Sequence, residues 1–90
     1  MIATGFVTLA GPDEATPPTR FEAGYVDISI GGSFTGTITL QKFVQDWVKV
    51  EEWTEPDQNV FIQANRDIDW RLIFTDYIAG SAIVRLSQNV

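Results

Sequence analysis

The sequence contains neither cysteine nor histidine. Without cysteine no disulfide can staple the chain, and thiolate nucleophiles and thiolate metal sites are excluded. Without histidine it lacks the commonest general base and the commonest transition-metal ligand. Basic residues are scarce as well: 6 Lys and Arg stand against 12 Asp and Glu, for a net charge of −6. A surface of that sign repels phosphate and disfavours anionic membranes, so neither a nucleic acid nor a membrane is expected as partner. No apolar run approaches the roughly 20 residues that span a bilayer as a helix. The opening stretch, Met1 to Ala10, has no basic region and alternates with Thr and Gly, so it reads as a strand and not as an export signal. These absences predict a soluble domain assembled in a reducing cytoplasm, with no cofactor and no bound metal.

What is present favours β-structure. The 90 residues are 44% hydrophobic, mostly Val, Ile and Phe with three Trp. β-branched and aromatic residues suit a pleated, half-buried surface. The length predicts a single domain, 1–90. Short alternating segments are separated by turn residues about every ten positions, the spacing of an all-β sandwich or barrel.

The first expected strand is Ile2 to Leu9. The stretch 11–20 carries three of the four prolines (Pro12, Pro17 and Pro18) and reads as an extended loop or arm. In the second strand, Phe21 to Ile30, Val26, Ile28 and Ile30 share one face, and Tyr25, Asp27 and Ser29 share the other. Gly31-Gly32 predicts a two-residue hairpin turn into the third strand, Ser33 to Phe43. There Phe34, Ile38 and Leu40 alternate with Thr35, Thr37 and Thr39. In the fourth strand, Trp47 to Thr54, Val48 and Val50 are expected inside, and Trp47, Lys49, Glu51 and Trp53 outside. A turn at Glu55 to Asn59 precedes Val60 to Ala64, and Asn65 to Asp67 turns again. Ile68, Trp70, Leu72 and Phe74 form a sixth inner row. After a turn at Asp76 to Gly80, the last strand, Ser81 to Gln88, buries Ala82, Val84 and Leu86. The expectation is a two-sheet antiparallel β-sandwich of about seven strands, immunoglobulin-like or jelly-roll in order.

No pattern of catalytic residues stands out. Acid–base catalysis needs two groups whose surroundings push their pKa values apart. Asp67 and Asp69, two apart on one strand face, read as a solvated edge with a surface ion pair. They form a fragment of a calcium loop that lacks its glycine and closing glutamate. Glu51 and Glu52 are adjacent and must point to opposite faces. No Gly-x-Ser-x-Gly occurs, and Gly31-Gly32 has no phosphate-loop lysine. The more informative residues are apolar and outward-facing. Trp47 and Trp53 share a predicted outer face, where they would pack at the rim, enter a subunit interface or stack on a sugar ring. Tyr25 and Ile73 also point outward and would extend a patch. Trp70 alternates with core residues and is expected to be buried.

Several segments together resemble a known group. These are Gly32-Ser-Phe-Thr-Gly-Thr-Ile-Thr-Leu-Gln41, then Trp47, Val50 and Glu52-Trp53-Thr54, then Asp69-Trp70-Arg71-Leu72, and finally Ser81-Ala-Ile-Val-Arg-Leu-Ser-Gln88. In this order they resemble small β-sandwich proteins encoded among the virion genes of tailed bacteriophages, of head-decoration, cement or fibre type. The resemblance covers roughly Tyr25 to Gln88. The chain departs from it before Trp47, where Val44, Gln45 and Asp46 replace a longer Asp-Gly-Gly-type turn. The resemblance implies a non-enzymatic virion subunit, most simply a capsid decoration protein bridging neighbouring shell subunits. Its partners would be a phage capsid or tail protein and further copies of itself in a homo-oligomer. The interface residues expected on this reading are Pro12, Pro17, Pro18, Tyr25, Trp47 and Trp53. The alternative is a tail, fibre or glycan-binding module with Trp47 and Trp53 as stacking platforms.

Overall fold

A computed structural model describes residues 2–64 and 66–89, and of residues 59 and 61 the backbone only. The chain is all-β and antiparallel. Its strands are β1 (Ile2–Ala3), β2 (Val7–Leu9), β3 (Thr19–Phe21), β4 (Gly24–Phe43), β5 (Trp47–Trp53), β6 (Asp57–Ala64) and β7 (Ile68–Gln88). They form one sheet in the order β1-β7-β4-β5, with β2 and β3 also on β7 and β6 also on β4. Among the described residues no pairing joins β5 or β6 back to β1, β2 or β3, so the sheet is open.

The architecture rests on two very long strands. β4 and β7 pair from Asp27↔Ser87 to Lys42↔Trp70. The first half of β4 and the second half of β7 carry β6 on one side and β1 and β2 on the other. The remaining halves carry β5 on one side and β3 on the other. A flat sheet would leave both faces wet, yet Val26, Ile28, Ile38, Leu40, Leu72 and Val84 are fully buried. No helix exists among the described residues to cover them. Residues from both halves instead form a single apolar cluster. Burying such side chains supplies about 1.5–3 kcal/mol each, the main force holding the sheet folded.

Two expected turns are corrected by this pairing. Gly31-Gly32 is not a hairpin: Gly31 and Gly32 lie mid-strand opposite Ile83 and Ala82. Nor does the chain turn at Asp76 to Gly80; β7 runs through it, opposite Phe34 to Thr37. The glycines serve a bend instead. Register shifts fall between Thr35 and Gly36 and between Thr37 and Ile38, so that β7 contributes Ile78 and Thr75 as extra residues. Such bulges increase twist and let a sheet curve. Gly36 and Gly80 have φ of 141° and 85°, and a Cβ on either would strike the carbonyl of Asp76 or Ser33 across the ladder. Here backbone approach, not loop reversal, demands glycine. Inside the bend, Phe74 packs edge-on against both Phe34 and Tyr77, at 5.6 and 5.1 Å between centroids. The Tyr77 hydroxyl donates to the Gly80 carbonyl at 2.9 Å.

The proline-rich segment is a strap on its own chain. Thr16 is buried; its N–H donates to the Leu72 carbonyl, and its Oγ1 accepts from the Leu72 N–H at 3.0 Å. Asp13 N–H donates to Phe74 O, and Phe74 N–H donates to Glu14 O. Ala15 bridges to Ile73, and β3 then continues along β7 from Thr19↔Trp70 to Phe21↔Ile68. Pro17 and Pro18 fit here because an edge segment needs no outward N–H donors. The expected turn after Thr54 is shorter than foreseen, since β6 begins at Asp57. Of the expected turn at Asn65 to Asp67, Asn65 lies outside the described residues, as do Met1 and Val90.

Candidate functional site

The most developed surface cluster lies on the outer face of the half-sheet built from β5, the end of β4 and the start of β7. Its geometry starts with a tight connection. Val44 N–H donates to Asp46 O at 3.1 Å, and Asp46 Oδ1 accepts from the Trp47 N–H at 2.9 Å. This three-residue turn brings Trp47 opposite Phe43. Their rings meet edge to face, 5.3 Å between centroids at 67°. One strand further, Arg71 lies opposite Gln41. Arg71 Nε donates to Gln41 Oε1 at 2.8 Å, and its guanidinium sits 4.1 Å from the centroid of a Trp47 ring. Burial lowers the Arg71 pKa from its ordinary value, though a guanidinium stays charged at any physiological pH. The result is a preorganised platform. Phe43 holds one edge of Trp47, Arg71 covers a face of it, and Gln41 fixes Arg71.

A bulge in the β4–β5 ladder decides which β5 side chains reach this platform. Pairing runs Ile38↔Trp53, Thr39↔Glu52 and Leu40↔Glu51, then skips Val50 and resumes at Gln41↔Lys49. The extra residue resets the alternation. Trp47 and Lys49 stay on the outer face with Gln41 and Phe43. Trp53 and Val50 instead pack against the core, Trp53 opposite buried Ile38. The expectation that Trp47 and Trp53 share an outer face is thereby corrected, and with it the paired sugar platform. Val48, expected inside, is 43% exposed opposite Lys42, near the open end of the sheet.

The other expected interface residues are dispersed. Pro12, Pro17 and Pro18 are exposed along the strap. The strap edges the same half-sheet as Trp47 but lies three strand spacings from β5, roughly 14 Å. Tyr25 is 64% exposed on the other half-sheet, opposite Gln63. Ile73 is half-buried beneath the Ala15 bridge. Trp70 is buried, as its alternation predicts. Asp69 pairs with Arg20 at 3.2 Å and Asp67 Oδ1 accepts from the Ala23 N–H, so both serve the strap and its exit. Among the described residues, no group of three or more acidic side chains converges to hold a metal ion.

Sequence reasoning missed Phe43 and Arg71. Arg71 is recognisable as outward-facing from its place between Trp70 and Leu72, but its partner Trp47 depends on the β4–β7 and β4–β5 registers. It also missed a second exposed cluster on the other half-sheet, where Phe6 is 70% exposed with the Arg85 guanidinium 5.2 Å from its ring centroid. Comparison with known protein families, with curated proteins and with solved structures finds no match.

Proposed function

We propose that this chain is a non-enzymatic structural subunit of a phage particle, a capsid decoration protein that binds neighbouring shell subunits through the outer face around Trp47. The observation that carries the reading is the platform itself. An aromatic ring is held by Phe43 and by Arg71, which Gln41 fixes in turn, with Phe43 and Val44 each more than 40% exposed beside it. Tryptophan and arginine dominate the energetics of protein interfaces, and a side chain fixed before docking loses little entropy on binding. The resemblance of Gly32–Gln41 and Ser81–Gln88 to phage virion proteins supplies the particle. We read the folded sheet as a two-layer β-sandwich whose layers are the two halves of β4 and β7. Repetition of the subunit over a lattice, or in a homo-oligomer, would turn weak single contacts into firm attachment. The glycan-binding alternative loses its support, because Trp53 faces the core and a face of Trp47 is covered by Arg71.

The test is sedimentation of particles from cells making the chain. The native chain is expected to co-sediment at a fixed ratio to the major shell protein, and Trp47→Ala to remain in the soluble fraction. A native chain that stays soluble while complete particles sediment contradicts the proposal.

A further inference from the structure

Where the end of β4, the end of β6 and the start of β7 converge, a cavity of about 100 Å³ is lined by Lys42, Gln63, Arg66, Ile68 and Trp70. Its polar lining offers an ammonium, a guanidinium and a side-chain amide that can donate through its NH2 group. Among the described residues no carboxylate lines it. Two of the chain's six cationic residues thus share one small cavity in a molecule with twice as many acids as bases. The ion pairs among the described residues lie elsewhere, Arg20 with Asp69 and Lys49 with Glu52. The remaining wall is apolar, made by buried Ile68 and Trp70. Trp70 Nε1 is itself buried without a hydrogen-bond partner among the described residues, which native proteins rarely tolerate.

We propose that this cavity binds a carboxylate, presented by an acidic side chain of a protein partner. The volume is roughly that of three liquid waters, enough for a carboxylate and a methylene or two. Lys42 and Arg66 supply charge-assisted hydrogen bonds to its oxygens. Ile68 and the Trp70 indole provide an apolar wall for the methylene stem, a surface that a bare inorganic anion cannot use. The proposal stands independently of the role given to Trp47.

The experiment titrates the isotope-labelled full chain at constant ionic strength with three probes: sodium acetate, N-acetylglutamate α-amide and inorganic phosphate. The Trp70 indole N–H and Gln63 side-chain amide resonances are followed. Both carboxylates are expected to give saturable shifts with roughly millimolar dissociation constants, as befits so few atoms, the glutamate derivative binding at least as tightly as acetate. The Lys42→Ala/Arg66→Ala double variant should bind about tenfold more weakly, and Lys49→Ala, which alters a cation outside the cavity, should bind like the native chain. If the double variant loses the native spectrum, Lys42→Gln and Arg66→Gln replace it, each expected to bind about threefold more weakly. Shifts that stay linear for both carboxylates overturn the proposal, as do variants at Lys42 and Arg66 that fold and bind unchanged. Phosphate binding more tightly than either carboxylate overturns the assigned chemistry, and acetate binding more tightly than the glutamate derivative overturns the side-chain source.

Discussion

Trp47 and Trp53 stand at the two ends of β5, an even number of positions apart, so simple alternation would put them on one face, yet they occupy opposite sides of the sheet. Trp53 lies opposite Ile38 and packs on the core; Trp47 lies opposite Phe43 under the Arg71 guanidinium. The difference comes from one extra residue, Val50, inserted where the pairing passes from Leu40 to Gln41. Without the bulge both rings would share one face, and on the outer face they would form one broad apolar patch, an aggregation hazard on an edge strand. With it, one ring stabilises the domain and the other is left for recognition. A bulge is thus the device that divides two chemically identical side chains between stability and binding.

The sharpest way to break this division, and the largest expected effect on stability, is Trp53→Ala. Because the ring is only partly buried, we expect about 2–3 kcal/mol, below the full cost for a core aromatic. Urea denaturation followed by circular dichroism measures it, and a change under 1 kcal/mol would place Trp53 off the core.

Thr16→Val tests whether the strap belongs to the fold. Valine keeps the shape but leaves the Leu72 N–H without its acceptor at 3.0 Å. The expected loss is about 1–2 kcal/mol, with faster hydrogen exchange at Leu72 than at Leu86. Unchanged exchange at Leu72 would show that the strap detaches freely in solution.

The smallest effect on stability is expected at Trp47→Ala, under about 1 kcal/mol, since the cation–π contact and the edge-on ring are worth only a few tenths to 1 kcal/mol each at a partly exposed site. Its effect on particle attachment should nonetheless be complete. A variant that loses stability and keeps attachment would invert the roles of the two tryptophans.

The inner rows were legible in the sequence because alternation is a local property. Val26, Ile28, Ile30, Ile38, Leu40, Trp70, Leu72, Phe74, Val84 and Leu86 all fall in the core where period two puts them. The bends were not legible. Glycines that permit a hairpin and glycines that permit close approach of two strands look alike along the chain, and only the partner tells them apart. Gly32 faces Ala82, and Gly36 faces Tyr77. The Val50 bulge was hidden for the same reason, since it exists only relative to β4. The strap was hidden because Thr16 and the backbone of Asp13 and Glu14 dock it, with no apolar run to announce a strand. At the candidate site, Trp47 was visible as an outward aromatic, but its holders Phe43 and Arg71 required the registers of two ladders.

The central claim, that β5 sends its two tryptophans to opposite faces, is tested most directly by nuclear Overhauser contacts in a chain with labelled methyl and indole groups. The Trp53 ring should show contacts to the Ile38 methyls and to other core methyls. The Trp47 ring should show none of these and should contact the Phe43 ring and the Arg71 side chain. Contacts from both rings to the same set of side chains would contradict the account.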